Sequence, residues 1–284
     1  MERRPIWLWP NLLSLDAPLV AVAWLWMFAK TWHVVWFPKS IYLLVAGAVW
    51  IIYVVDRLMD ARVHPEAKLS GKPRHQFHHR HRKKFGIAVG IVGLGCLWTL
   101  LNLPPDLWWH GSFVLLFVAA YFMLVFLQNN EGVSYFKNVV AGLAFAYGTV
   151  VGMHFYRPSS NLFWLVFSPE VLVFAVLCIA NITAIDFWEQ SRDSRDEDEK
   201  TAYEVVLSLL LILVAGFALM VAMKADRYSQ PFYYAIMVGA ALLHVVNRAR
   251  TLFSVDTMRV LADLAMLLPF PVFVLYPLFD RWMN

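Results

Sequence analysis

Long apolar runs alternate with short polar breaks along the whole chain. LVFSPEVLVFAVLCIANITAI (165–185) and VVLSLLLILVAGFALMVAM (205–223) are typical. Each reaches roughly the 20 residues that a helix needs to cross ~30 Å of hydrocarbon. Divided at charged, Pro-marked or Gly-marked breaks, the pattern predicts about nine spans, over 15–37, 39–60, 85–103, 111–128, 137–155, 161–187, 203–224, 231–249 and 257–279. The two longest polar segments, 61–84 and 188–202, leave no room for a soluble domain. The expectation is an all-α polytopic membrane protein with one domain over residues 1–284.

Composition agrees: 60% of residues are hydrophobic, 16% aromatic and only 15% charged. Mean hydropathy is +0.58, more apolar surface than a soluble core of this length can hide. MERRPIWLWP is too short and too broken by proline for a cleavable signal, so the first span would serve as its own insertion signal. With the N-terminus inside, segments 1–14, 61–84, 129–136, 188–202 and 250–256 face the cytoplasm and collect most of the 24 Lys and Arg residues, in the sense of the positive-inside rule. Membrane lipids, and no nucleic acid, are expected as partners. Cys96 and Cys178 both fall inside apolar runs and are expected as free thiols.

Span parity adds a chemical observation. The second and sixth spans run in the same direction, and their C-terminal ends carry the carboxylate clusters of the chain. YVVDRLMDAR holds Asp56 and Asp60, and NITAIDFWEQSRD holds Asp186, Glu189 and Asp193. A four-residue step on a helix turns ~400°, so Asp56 and Asp60 lie within ~40° of each other. The second set, at i, i+3 and i+7, occupies a sector of about 60°. Charges at a helix end are often only an interfacial preference. Carboxylates gathered on one face repel, however, unless a cation lies between them. Hard oxygen ligands suit Mg²⁺, which bridges carboxylates to substrate phosphates. Two such rows would hold a diphosphate carried on a long apolar chain.

At these residues the sequence resembles the UbiA superfamily of intramembrane prenyltransferases. The first family motif is approximately N-D-x-x-D-x-x-x-D; Asp56 and Asp60 match its last two aspartates, while Ile52 and Tyr53 stand at the leading pair. The second, D-x-x-D-x-x-x-D, reads DFWEQSRD here, with Glu189 in place of an aspartate. SYFKNVVAGLAFAYGTVVG (134–152) looks like the family's fifth helix. The resemblance implies nine helices in a bundle around a central cavity, and a divergent member of the family. It implies Mg²⁺ held by Asp56, Asp60, Asp186, Glu189 and Asp193, and transfer of a prenyl group from a polyprenyl diphosphate to an aromatic or lipid acceptor. Lys137 and Arg62 would contact phosphate oxygens. The alternative is a non-catalytic or transport protein that uses the acidic rows as an ion or lipid-headgroup site, including a degenerate member kept as a scaffold. A CDP-alcohol phosphotransferase is disfavoured, because DRLMDAR lacks the D-x-x-D-G-x-x-A-R spacing.

RHQFHHRHRKK (74–84) resembles a histidine box, but a membrane di-iron site needs several boxes and no second one occurs. The stretch is expected as a charged loop that attracts anionic headgroups, worth ~1 kcal/mol per Lys or Arg near the surface. A lone Zn²⁺ on His75, His78 and His79 stays open.

Overall fold

The computed structural model describes residues 6–63, 73–127, 135–157, 161–193 and 196–283; within them the side chains of 60–63, 73–76, 193, 199 and 277–283 lie outside the description. Among the described residues every regular element is a helix. In chain order these are α1 (Trp9–Leu12, preceded by a 3-10 turn), α2 (Asp16–Thr31), α3 (Ser40–Val63), α4 (Pro73–Arg80), α5 (Arg82–Leu101), α6 (Asp106–Leu127), α7 (Tyr135–His154), α8 (Leu162–Val166), α9 (Pro169–Asp193), α10 (Glu197–Ala222), α11 (Gln230–Arg248), α12 (Val255–Leu267) and α13 (Pro269–Met283).

Seven stretches of these helices are long and apolar enough to cross a bilayer: Ser40–Met59, Arg82–Leu101, Asp106–Leu127, Tyr135–His154, Pro169–Arg192, Lys200–Ala222 and Val255–Tyr276. The chain is thus a helical membrane protein. Each of the nine expected segments contains a helix among the described residues, but two fall short of a full apolar span. The first is α2, which continues α1 through a 79° bend; the bend falls at Ser14, held at φ 58° in the left-handed region. The second is α11, where Gln230, Pro231, Tyr233, Tyr234, His244 and Asn247 dilute the apolar run. Buried residues on α11, among them Phe232, Ile236, Ala240, Leu243 and Asn247, show why: neighbouring helices cover it, so it has less need of a lipid-compatible surface.

The expected span 161–187 is broken. α8 ends at Val166 and α9 opens at Pro169. Pro169 lacks an N–H and disfavours a helical conformation at Ser168, so it starts a new helix instead of continuing the old one. RHQFHHRHRKK is also not a loop. Residues 73–80 form α4, and α5 starts at Arg82. His78 is fully buried and stacks on Phe85 at 4.3 Å, while Phe77 meets Trp9 edge-on at 6.0 Å. Two aromatic anchors within the charged run give it a buried side that charge counting does not reveal.

Contacts divide the chain into two compact units. One comprises 1–22 and 38–109, the other 23–37 and 110–284. In the first, α3 lies against α5 so closely that a Cβ on Gly47 would come within 2.5 Å of Cys96 Sγ. In the second, α7 crosses α9 at Gly142, where an added Cβ would sit 2.8 Å from the backbone nitrogen of Ile179. The core of this unit is aromatic. Trp24 stacks on Phe174 at 4.4 Å, Phe28 meets Phe232 at 4.6 Å, and Trp24 Nε1 donates to the Met266 carbonyl at 2.9 Å.

Candidate functional site

The first acidic row belongs to the first unit. Asp56 is half-buried near the C-terminal end of α3. Its neighbour Arg57, one helical step of ~100° away, is only 3% exposed. Arg57 Nη1 donates to the Asn11 carbonyl at 2.7 Å and to Ser14 Oγ at 2.6 Å. Asn11 Nδ2 donates in turn to Asp16 Oδ2 at 2.6 Å, and Ser14 Oγ lies 3.4 Å from His78 Nε2. Asn11, Ser14, Asp16, Arg57 and His78 are all buried, so this is a polar network inside an apolar unit. It fixes the rotation of α3 and ties its end to the α1–α2 bend and to α4. Such networks are costly unless their members are paired, and they specify one arrangement when they are. The side chains of Asp60 and Arg62 lie outside the described residues, as does His75 of the zinc option.

The second row belongs to the other unit. Asp186 and Glu189 share one face of α9, and Asp193 ends the helix with its side chain outside the described residues. The intervening aromatics point elsewhere. Phe187 stacks on Tyr203 at 4.8 Å, and Trp188 Nε1 donates to Asn247 Oδ1 at 2.9 Å. These contacts to α10 and α11 set the rotation of α9 and so the direction of its acidic face. A crevice beside Phe187, Trp188, Lys200 and Tyr203 is too tight to take a water molecule.

The two described acids on this face have different partners. Asp186 accepts from Asn138 Nδ2 at 2.8 Å; Asn138 is fully buried in the first turn of α7. Lys137, next to it, is half-buried. Glu189 Oε1 accepts from Arg259 Nε at 3.0 Å and also from Nη2, and Arg259 Nη1 donates to Asp256 Oδ1 at 2.8 Å. Arg259 is 2% exposed.

Among the described residues no three His, Cys, Asp or Glu side chains gather closely enough to hold a metal ion. The donor chemistry of the aspartates suits Mg²⁺, since they offer hard oxygens, and a neutral amide orients the carboxylate of Asp186. Glu189 fits less well, because a guanidinium already occupies its Oε1.

His78 was read only as a zinc option, and Asn138, Arg57 and Arg259 were missed by motif reading. A signal existed for the last: Asp256 and Arg259, three residues apart at the start of an apolar helix, form an i, i+3 pair. No family model, curated protein or solved structure matches the chain.

Proposed function

We propose that this chain is an intramembrane prenyltransferase of the UbiA type, divergent in its first motif, which transfers a prenyl group from a polyprenyl diphosphate to an aromatic or lipid acceptor. The observation that carries this reading is the Asn138–Asp186 hydrogen bond. It joins the opening turn of the helix that resembles the family's fifth to the second acidic row, where a diphosphate would lie. Asp56, Asp60, Asp186 and Asp193 would hold Mg²⁺, with Glu189 at the remaining position of the motif. When bound, the ion neutralises the leaving diphosphate as the allylic C–O bond breaks. Asn138 orients Asp186, the Arg57 network holds the end of α3, and Lys137 and Arg62 would contact phosphate oxygens. The acidic ends and the N-terminus face the cytoplasm in this reading.

A second reading has one observation in its favour. The buried Glu189–Arg259 pair suits a non-catalytic or transport protein that uses the acidic rows as an ion or lipid-headgroup site.

Thermal stabilisation of the purified protein by geranyl, farnesyl and geranylgeranyl diphosphate, with and without Mg²⁺, tests the first reading. Stabilisation that needs both ligand and metal, followed by turnover that Asp60→Asn with Asp193→Asn abolishes, supports the enzyme. Full turnover in that double variant rules out this site. Stabilisation by metal alone, or by anionic lipid without turnover, favours the second reading.

A further inference from the structure

We infer that Glu189 is a positioning carboxylate held by a resident cation, Arg259, and is not a ligand for the metal that the neighbouring aspartates would hold. The inference rests on the prenyltransferase reading only for the identity of that metal; the ion pair stands on the geometry.

The guanidinium of Arg259 lies between two carboxylates from different helices. Nε, at 3.0 Å, and Nη2 both donate to Glu189 Oε1 on α9, and Nη1 donates to Asp256 Oδ1 on α12 at 2.8 Å. Arginine is never deprotonated in a protein, so a full positive charge sits there permanently. It is almost fully buried, and the side chains of Glu189 and Asp256 are only 17% and 29% exposed. The pair is therefore poorly screened by solvent. A Mg²⁺ ion binding Glu189 Oε1 would have to approach this guanidinium or expel it, and expulsion would leave a buried charge unpaired.

Asp186, on the same face, accepts from the neutral amide of Asn138, which orients its carboxylate. One row thus contains an aspartate oriented by a neutral amide and a glutamate held by a buried guanidinium. The motif comparison fits this division. The second acid is the position at which Glu replaces the aspartate of the family motif, and the extra methylene lengthens its reach from α9 toward Arg259. An aspartate restored there would be too short to hold the guanidinium in the same way.

Two measurements on the full-length protein in detergent test the proposal. The first is retention of Mn²⁺, followed by electron paramagnetic resonance, in the presence of geranyl, farnesyl or geranylgeranyl diphosphate. Glu189→Gln should retain as many Mn²⁺ ions as the wild type, with an affinity within about twofold, whereas Asp186→Asn should lose about tenfold or more. The second is a thermal cycle. Glu189→Gln, Glu189→Asp, Glu189→Leu and Arg259→Met should each lower Tm by roughly 5–10 °C, and Glu189→Leu combined with Arg259→Met should recover at least half of the summed loss of those two single variants. Loss of a Mn²⁺ ion in Glu189→Gln overturns the proposal, as does simple addition of the single losses in the double variant. If the wild type retains no Mn²⁺ with any of the diphosphates, the prenyltransferase reading fails, and the thermal cycle alone decides whether Arg259 holds Glu189.

Discussion

Asn138 and Asp186 meet at 2.8 Å, amide to carboxylate, across two helices that contact each other again at Gly142 and Ile179, about one turn further along α7 and two turns back along α9. The polar contact fixes the register that the glycine permits. Replacing Asn138 by Ala should remove a donor from Asp186 and leave a small void, destabilising the protein by roughly 1–2 kcal/mol. Asn138→Asp should do more harm, since it sets two carboxylates against each other. Denaturant titration in mixed micelles measures the loss. If the proposed function holds, both variants should also weaken diphosphate binding; equal stability of wild type and Asn138→Ala would show that the bond is incidental.

Gly142 itself gives a sharper contrast. A methyl group there would stand 2.4 Å from Ile179 Cγ1 and 2.8 Å from its backbone nitrogen, so α7 and α9 would have to separate. Gly142→Ala should destabilise by about 1–3 kcal/mol, despite the helix propensity that alanine adds. Gly90, in α5, has nothing within 4 Å of its own Cβ position. Gly90→Ala should therefore be neutral or stabilising by up to ~1 kcal/mol. Thermal unfolding of the two variants side by side checks the difference in sign.

What the sequence made legible follows from the length scale of each signal. Runs of about 20 apolar residues announced the helices, because such a run has few other folds in a membrane. The break before Pro169 was also written in the sequence, but apolar residues on both sides of it hid the change of helix. The buried side of α4 was invisible for the reverse reason. His78 and Phe77 are two anchors within a run dominated by charge, and only Phe85 and Trp9, from elsewhere in the sequence, reveal what they cover. Of the candidate site, the acidic faces of α3 and α9 were readable from helical spacing. The partners of those acids were not: Asn138 and Arg259 lie 48 and 70 residues from the groups they bind, and no local period connects them.

Arg57 should prove as important to the fold as any residue in its unit. Its guanidinium accounts for the Asn11 carbonyl and Ser14 Oγ at once, inside a buried network. Arg57→Met would strip both groups of this donor and should cost about 3 kcal/mol or more. Arg57→Lys should recover only part, because an ammonium does not reproduce the planar set of donors. Protease accessibility of the α1–α2 bend, compared among wild type, Arg57→Met and Arg57→Lys, measures how far the N-terminal segment has come loose. An unchanged cleavage pattern in Arg57→Met would show that the bend is held by other contacts.

Asp226 lies in the turn between α10 and α11, and it makes stability depend on pH in a definite sense. Its carboxyl is held below the ordinary value, chiefly by the backbone N–H of Ser229; burial opposes this, and the backbone N–H of Tyr228 and the Ser229 hydroxyl add to the lowering. Both bonds to Oδ1 measure 2.8 Å. A depressed folded pKa means that the carboxylate form is the one the fold prefers. Its contribution is complete above the ordinary value of 3.8 and disappears as pH falls through the lowered one. The turn is exposed, so the effect is on the order of 0.5 kcal/mol. Asp226→Ala should lower Tm slightly at pH 7, and the difference from wild type should shrink as the pH is taken from about 4 to 2. A difference that grew on acidification would reverse the assignment of the charged form as the stabilising one.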